Sequence, residues 1–263
     1  MALPENKITH YAAALYQALR NRTTLPPLTE VEAAITIDDA YKISEQFLQR
    51  RIDRDGERVV GKKIGVTSKP VQDMLGVFEP DFGFLTDAMT VTDGRVPMGK
   101  LIAPRAEAEI GFRLKSGLKG PGVTPEDVLA ATDCVMACFE IVDSRIRDWQ
   151  IKIEDTVADN ASCGVFVLGA EEIDPNSLDL AALKVEVFKN GDKLSEGVGA
   201  AVQGSPLASV AWLANTLGRY GIPFEAGEVI LSGSLVPLEP VVAGDAMRMV
   251  LDGVGALDVE FVG

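Results

Sequence analysis

The alternation of apolar and polar positions divides the chain into a helical front and a longer, β-rich remainder. Residues 7–20 and 37–54 read as helices. In the second, Ala40, Ile43, Phe47 and Leu48 fall at helical spacing, and Thr36 with Asp39 has the form of a capping box. Between the two, residues 23–29 contain Pro26 and Pro27 and read as a loop. From Val59 the period shortens towards two. Residues 59–66 form a short strand ending in a Thr67-Ser68 turn, and residues 107–115 and 134–142 are further strands. Thr124 caps a short helix that has Pro125 at its first position. Residues 184–199 read as a hairpin turning at Asn190-Gly191, and residues 246–262 as another around Asp252-Gly253. Ser205-Pro206 opens a helix that carries Leu207, Val210, Leu213, Ala214 and Leu217 and ends near Gly218 or Gly221. Residues 228–235 read as a strand. Strands joined mostly by hairpins predict an α+β fold with a mostly antiparallel or mixed sheet, not a doubly wound one.

Chemistry enters with the acids on these strands. In the run Arg105-Ala-Glu107-Ala-Glu109-Ile110, a period of two puts Glu107 and Glu109 on one face and Ala106, Ala108 and Ile110 on the other. Glu140 ends the apolar run that starts at Cys134, where an unpaired charge is costly. Three carboxylates on two neighbouring strands suit a hard divalent cation, Mg²⁺ or Mn²⁺. Arg105 or Lys63 could instead neutralise Glu140 without a metal. His10 is the only histidine, which excludes a His-rich zinc site, and Cys134, Cys138 and Cys163 have no paired-thiolate spacing and read as reduced core thiols. Serine nucleophile chemistry lacks both a nucleophile elbow and a nearby histidine.

Other candidates carry weaker signals. Lys62 and Lys63 are adjacent on a strand, so one is expected to face solvent and the other the interior, where a lysine can do acid–base work. Residues 79–83 read as a turn holding Asp81. Residues 143–162 mix polar groups with Trp149, Ile151 and Ile153; such a stretch forms either the wall of a site or an ordinary surface excursion. Ser232-Gly233-Ser234 could offer hydroxyls and backbone N–H groups to an anion.

The 263 residues include 25 Lys and Arg against 39 Asp and Glu, a net charge of −14. No basic cluster offsets that balance, which argues against nucleic acid or an anionic membrane as partner. The first residues lack the design of a signal peptide, and no apolar stretch approaches the roughly 18–20 residues that span a bilayer, so a cytoplasmic location is expected.

Taken in order, Gly61-Lys-Lys-Ile-Gly-Val-Thr-Ser68, Pro80-Asp-Phe-Gly83, Pro104-Arg-Ala-Glu-Ala-Glu-Ile110, Phe139-Glu-Ile-Val-Asp-Ser-Arg145, Asp155-Thr-Val-Ala-Asp-Asn-Ala-Ser-Cys-Gly164 and Gly227-Glu-Val-Ile-Leu-Ser-Gly-Ser234 span nearly the whole chain. As a set they resemble the 2-hydroxypenta-2,4-dienoate hydratases, which belong with the 4-oxalocrotonate decarboxylases in the fumarylacetoacetate hydrolase superfamily. The resemblance implies a mixed β-sandwich or roll with a helical N-terminal part, here residues 1–57 as a cap and residues 58–263 as the catalytic domain. It implies Mg²⁺ or Mn²⁺ on Glu107, Glu109 and Glu140, with Lys63, Asp81 and Ser162 at the reacting end of a small anionic substrate and Ser234 among the substrate-binding residues. The implied reaction, in meta-cleavage degradation of aromatic compounds, hydrates the dienoate to 4-hydroxy-2-oxopentanoate. The decarboxylases differ around the lysine and after Asp-Ser-Arg, where this chain has Lys62, Ile64, Ile146 and Arg147-Asp-Trp-Gln150. A homo-oligomer, and association with a decarboxylase paralogue that would make the chain a partner subunit, are further implications.

Overall fold

A computed structural model of the chain describes residues 2–263, with the side chains of Pro70, Met74 and Leu75 outside the described set. The N-terminal part contains α1 (Glu5–Asn21), the single turn α2 (Leu28–Val31) that starts at the end of the expected loop and runs past it, and α3 (Ile37–Asp55). The capping box at α3 forms as the sequence predicts: the Asp39 N–H donates to Thr36 Oγ1 at 3.2 Å, and Asp39 Oδ2 accepts from the Thr36 N–H. Both long helices end on a residue in the left-handed region, Arg22 and Gly56.

The β region follows as β1 (Val59–Gly65), α4 (Lys69–Leu75), β2 (Asp81–Thr86), β3 (Thr90–Val91), β4 (Arg95–Pro97), β5 (Arg105–Leu114), α5 (Pro125–Ala131), β6 (Thr132–Val142), α6 (Ile153–Ala158) and β7 (Val165–Leu168). It continues with β8 (Lys184–Lys189), β9 (Asp192–Val198), α7 (Pro206–Arg219), β10 (Val229–Leu231), β11 (Glu239–Pro240), β12 (Ala246–Leu251) and β13 (Gly255–Val262). The larger sheet has the order β2-β1-β10-β5-β6-β7-β3, with β11 added on β5, and the smaller one β4-β13-β12-β8-β9. Both are mixed: β1–β10, β3–β7 and β4–β13 run parallel and the rest antiparallel.

One core joins the two sheets. Ala106, Ala108, Ile110 and Phe112 of β5 meet Val185 and Val187 of β8 and Met249 and Val259 of the last hairpin, with Val210 and Leu213 of α7 against them. The apolar face of β5 is thus spent on this core, which leaves its acidic face on the other side. A second core packs α1 and α3, through Leu15, Ile43 and Phe47, onto Ile146, Ile151 and Val157. The helical part therefore braces the segment between β6 and β7. No helix among the described residues is long and apolar enough to cross a membrane.

Three local expectations need correction. Asp81 does not sit in a turn but opens β2, because Gly65–Asp81 pairing extends the β1 ladder that far. The strand expected over 228–235 stops at Leu231, where Gly233 takes φ +106° and turns the chain. α7, by contrast, ends at Arg219, next to Gly218 as expected; there the backbone of Gly120 packs so closely that a Cβ at 218 would stand 2.6 Å from it. Neither lysine of the 62–63 pair faces solvent: Lys62 is buried and donates to Glu228 Oε1 at 2.6 Å, with its ammonium 5.4 Å from the Phe224 ring centre.

Candidate active site

The acidic face of the larger sheet gathers the candidate residues. Glu107 on β5 pairs in register with Glu140 on β6, and Glu109 lies two positions along on the same face. Like charges directly opposite one another destabilise a sheet, yet all three carboxylates are buried and each offers an oxygen within 4.8 Å of the others. Glu109 Oε2 accepts from the Gly233 N–H at 2.8 Å, while Glu109 Oε1 and both oxygens of Glu140 lack hydrogen-bond partners. Orphaned buried carboxylate oxygens converging on one point are the donor set a hard divalent cation takes. The residues fit such an ion.

Lys63 reaches this cluster from β1. Its Nζ stands 3.3 Å from Glu140 Oε1, an ion-pair separation without hydrogen-bond alignment. Burial alone would lower the ammonium pKa, but the surrounding acids, Glu140 foremost, hold it above its ordinary value, so Lys63 stays cationic. One lysine does not neutralise three acids. Burial, and then the charge of Glu140, push the Glu107 carboxyl up to about 8. Burial likewise raises Glu109, with Glu140 and Glu107 adding to it, and raises Glu140 against the pull of Lys63.

Asp81 lies beside Lys63 at the edge of the cluster. Thr156 Oγ1 donates to Asp81 Oδ2 at 2.9 Å, while Asp81 Oδ1 is buried without a partner. Burial raises its pKa, and Lys63 and Thr156 pull it back only in part. Gly65 makes room for it: a Cβ there would stand 2.1 Å from Asp81 Oδ1.

The β6–β7 segment supplies the opposite wall. Arg145, fully buried, donates from Nε to Asp159 Oδ1 at 2.5 Å and from its terminal nitrogens to the carbonyls of Asp143, Asp159 and Cys163. Around this clamp Asn160, Ala161 and Ser162 all adopt positive φ. The Asn160 side chain mimics a strand, accepting from the Phe84 N–H at 2.8 Å and donating to the Phe84 carbonyl at 3.0 Å. The turn is thereby tied to β2, and Ser162 Oγ is buried without a partner.

Lys63, Asp81, Glu107, Thr156 and Ser162 line a cavity of about 20 Å³, room for one water. Of the nine non-glycine residues with positive φ among those described, four line it: Val66, Trp149, Ala161 and Ser162. Such strain concentrates where surrounding structure holds functional groups in place. Ser234 is not among the lining residues, and its Oγ donates to the Val236 carbonyl at 2.7 Å. Sequence reading passed over Thr156, Gly65 and Val66. Only Thr156 lay in a stretch already marked as a possible wall; the other two acquire a role through the approach of β2. A larger hollow of about 340 Å³ is lined by Arg20, Arg51 and Glu57, which pair with one another, and holds none of the triad.

This fold recurs in known proteins. Residues 59–262 match the fumarylacetoacetate (FAA) hydrolase C-terminal family, and the chain belongs to that family. It is 62% identical, over 94% of each chain, to a 2-hydroxyhexa-2,4-dienoate hydratase of Comamonas testosteroni. It is 61% identical to a 2-hydroxypent-2,4-dienoate hydratase of Pseudomonas putida, covering 79% of this chain and 94% of that one. Among solved structures, the 4-oxalocrotonate decarboxylase of Pseudomonas putida G7, complexed with magnesium and adipate, superposes with a TM-score of 0.93 at 36% identity over 99% of both chains.

Proposed function

We infer that the protein is a metal-dependent hydro-lyase that adds water to 2-hydroxypenta-2,4-dienoate, giving 4-hydroxy-2-oxopentanoate, in meta-cleavage degradation of aromatic compounds. The observation that carries this reading is the buried acid triad beside a cationic lysine, in a chain more than 60% identical to two named hydratases of short 2-hydroxydienoates. Mg²⁺ or Mn²⁺ on Glu107, Glu109 and Glu140 would supply a Lewis acid for the substrate's carboxylate and 2-oxygen. Lys63 adds a fixed positive charge on the same side, suited to an oxygen that loses its proton as the 2-hydroxyl becomes a ketone. Asp81 passes a proton to carbon with Lys63 beside it, a role supported by its raised pKa and its hydrogen bond from Thr156. Protonation at C5 leaves C4 electrophilic, and water adds there while C3 takes the last proton. Ser162, held by the strained turn, positions the reacting end. Ser234 is left to a role at the substrate-binding turn through its backbone.

Residues 1–57 act in this reading as a cap that braces the wall segment, and residues 58–263 as the catalytic part; the packing of α1 and α3 on Ile151 and Val157 supports that division. A cytoplasmic homo-oligomer completes the proposal. The likeness to the decarboxylase favours a second reading, either decarboxylation of 2-oxo-3-hexenedioate or association with a decarboxylase paralogue as its partner subunit. Metal-stripped protein, offered each substrate with and without Mg²⁺ or Mn²⁺, separates them. Metal-dependent 4-hydroxy-2-oxopentanoate from the dienoate, with no CO₂ from the dioate, is expected. CO₂ release from the dioate would replace the hydratase by the decarboxylase, and inactivity on both would leave the partner role.

A further inference from the structure

The cavity at the triad is too small for its substrate. At about 20 Å³ it admits one water, whereas a five-carbon dienoate has eight heavy atoms, so the substrate needs a wall to shift or neighbouring space to extend into. Next to the cavity lies a cleft of about 420 Å³ lined by Met98, Ile102, Pro104, Val241 and Val242, and by Arg105, whose guanidinium packs on Trp149. By register the two adjoin along one sheet face. Arg105 precedes Glu107 by two positions on β5, and Pro240, which pairs with Arg105, follows the cavity residue Leu238 by two. Trp149 is the one described residue that lines both.

Trp149 is also the least buried of the walls that carry a polar side-chain group. It is half-buried, at φ +57° and directly after Asp148 at φ +55°. Its indole N–H donates to the Ala103 carbonyl at 2.9 Å, and the Arg105 guanidinium lies 4.5 Å from its ring centre. The other polar walls are buried: Lys63 and Asp81 on strands, Thr156 on α6 and Ser162 in the clamped turn.

We propose that the apolar cleft beyond Trp149 is the subsite for the C5 substituent of a 2-hydroxy-2,4-dienoate, and that Trp149 is the partition that sets how long a tail is accepted. The inference rests on the hydratase reading and names its substrate class: dienoates with an uncharged alkyl tail. With the carboxylate end at the triad, the line Glu109–Glu107–Arg105 runs the substrate towards this cleft. No acid lines the cleft, and each methylene buried there is worth about fourfold in binding. Identity to relatives does not choose a tail length, since those named for five- and six-carbon substrates are matched at 61% and 62%.

The test compares kcat/KM for dienoates bearing hydrogen, methyl, ethyl or propyl at C5. Val242 is 63% exposed, so Val242→Trp fills the cleft without disturbing the core. It is expected to lower kcat/KM for the propyl substrate at least tenfold more than for the unsubstituted one, and Trp149→Ala to shift preference towards longer tails. Trp212 is the only other tryptophan. In a Trp212→Phe background with Mg²⁺, Trp149 fluorescence should respond to saturated 2-oxo acids in order of tail length. Equal losses on all four substrates, no tail dependence of the fluorescence, or a change of oligomeric state with Val242→Trp that accounts for the loss would overturn the subsite. Graded fluorescence without turnover of any dienoate would instead defeat the hydratase reading and leave the subsite standing.

Discussion

Glu107 shows how a single side chain serves two opposed ends. Buried opposite Glu140 it destabilises the metal-free sheet, and for the same reason its oxygens favour a cation. Glu107→Gln removes the repulsion and keeps the shape. The expected result is a metal-free protein with an unchanged or higher Tm, together with a fall in metal-dependent turnover of several orders of magnitude. Full turnover at saturating metal would remove Glu107 from the ligand set. Gly65 acts by what it lacks. Gly65→Ala places a methyl against Asp81 Oδ1 and 3.4 Å from Lys63 Nζ, and a displacement of about 1 Å at a reacting group costs roughly 10²-fold in rate. Steady-state kinetics should show that loss in kcat, with circular dichroism unchanged; wild-type kcat would mean that Asp81 does not handle the proton.

At the scale of elements, the segment between β6 and β7 is the part that most needs explaining. It holds three consecutive left-handed residues, a conformation that does not persist without outside support. Arg145 provides that support from within and the Asn160–Phe84 pairing from the side. Arg145→Met would leave the Asp159 carboxylate and three carbonyls without their partner, at a cost of about 3–5 kcal/mol. Urea unfolding should register it; a loss below about 1 kcal/mol would show that the turn holds itself. The capping box of α3 gives a milder case. Thr36→Ala removes the acceptor of the Asp39 N–H and should cost about 1 kcal/mol without altering turnover, because α3 touches the wall segment through its apolar face and not through its cap.

For the molecule as a whole, the triad couples stability, pH and metal. The folded Glu107 carboxyl is raised from 4.5 to about 8, so between those values the folded state binds more protons than the unfolded one. Stability is fully present below about pH 4.5 and is lost as pH rises towards 8. Metal-free protein should therefore melt at progressively lower temperature from pH 5 to pH 8. Mg²⁺ should restore most at pH 8, where it displaces the fewest protons, and its affinity should rise over the same window. Differential scanning fluorimetry across pH, with and without Mg²⁺, measures both. A flat metal-free profile would mean that the three acids share less charge than their burial implies.

Local pattern alone determined much of this protein. Period two on β5 was enough to sort Glu107 and Glu109 from Ala106, Ala108 and Ile110, and the capping box at Thr36, the capping Thr124 and the Asn190-Gly191 turn are short-range chemistry readable in a few residues. The ordered motifs also pointed to the family that the matches establish. Long-range pairing decided the rest. Asp81 became a strand residue because β1 was there to pair with it, and the strand ending at Leu231 was cut short by a glycine whose N–H serves Glu109. Lys62 and Lys63 looked like one inward and one outward charge, yet both are buried, since Glu228 and Glu140, each more than 70 residues away, meet them. The strained turn at Ser162 and the position of Trp149 between two hollows exist only because distant segments enforce them; backbone strain and shared walls leave no mark in local composition.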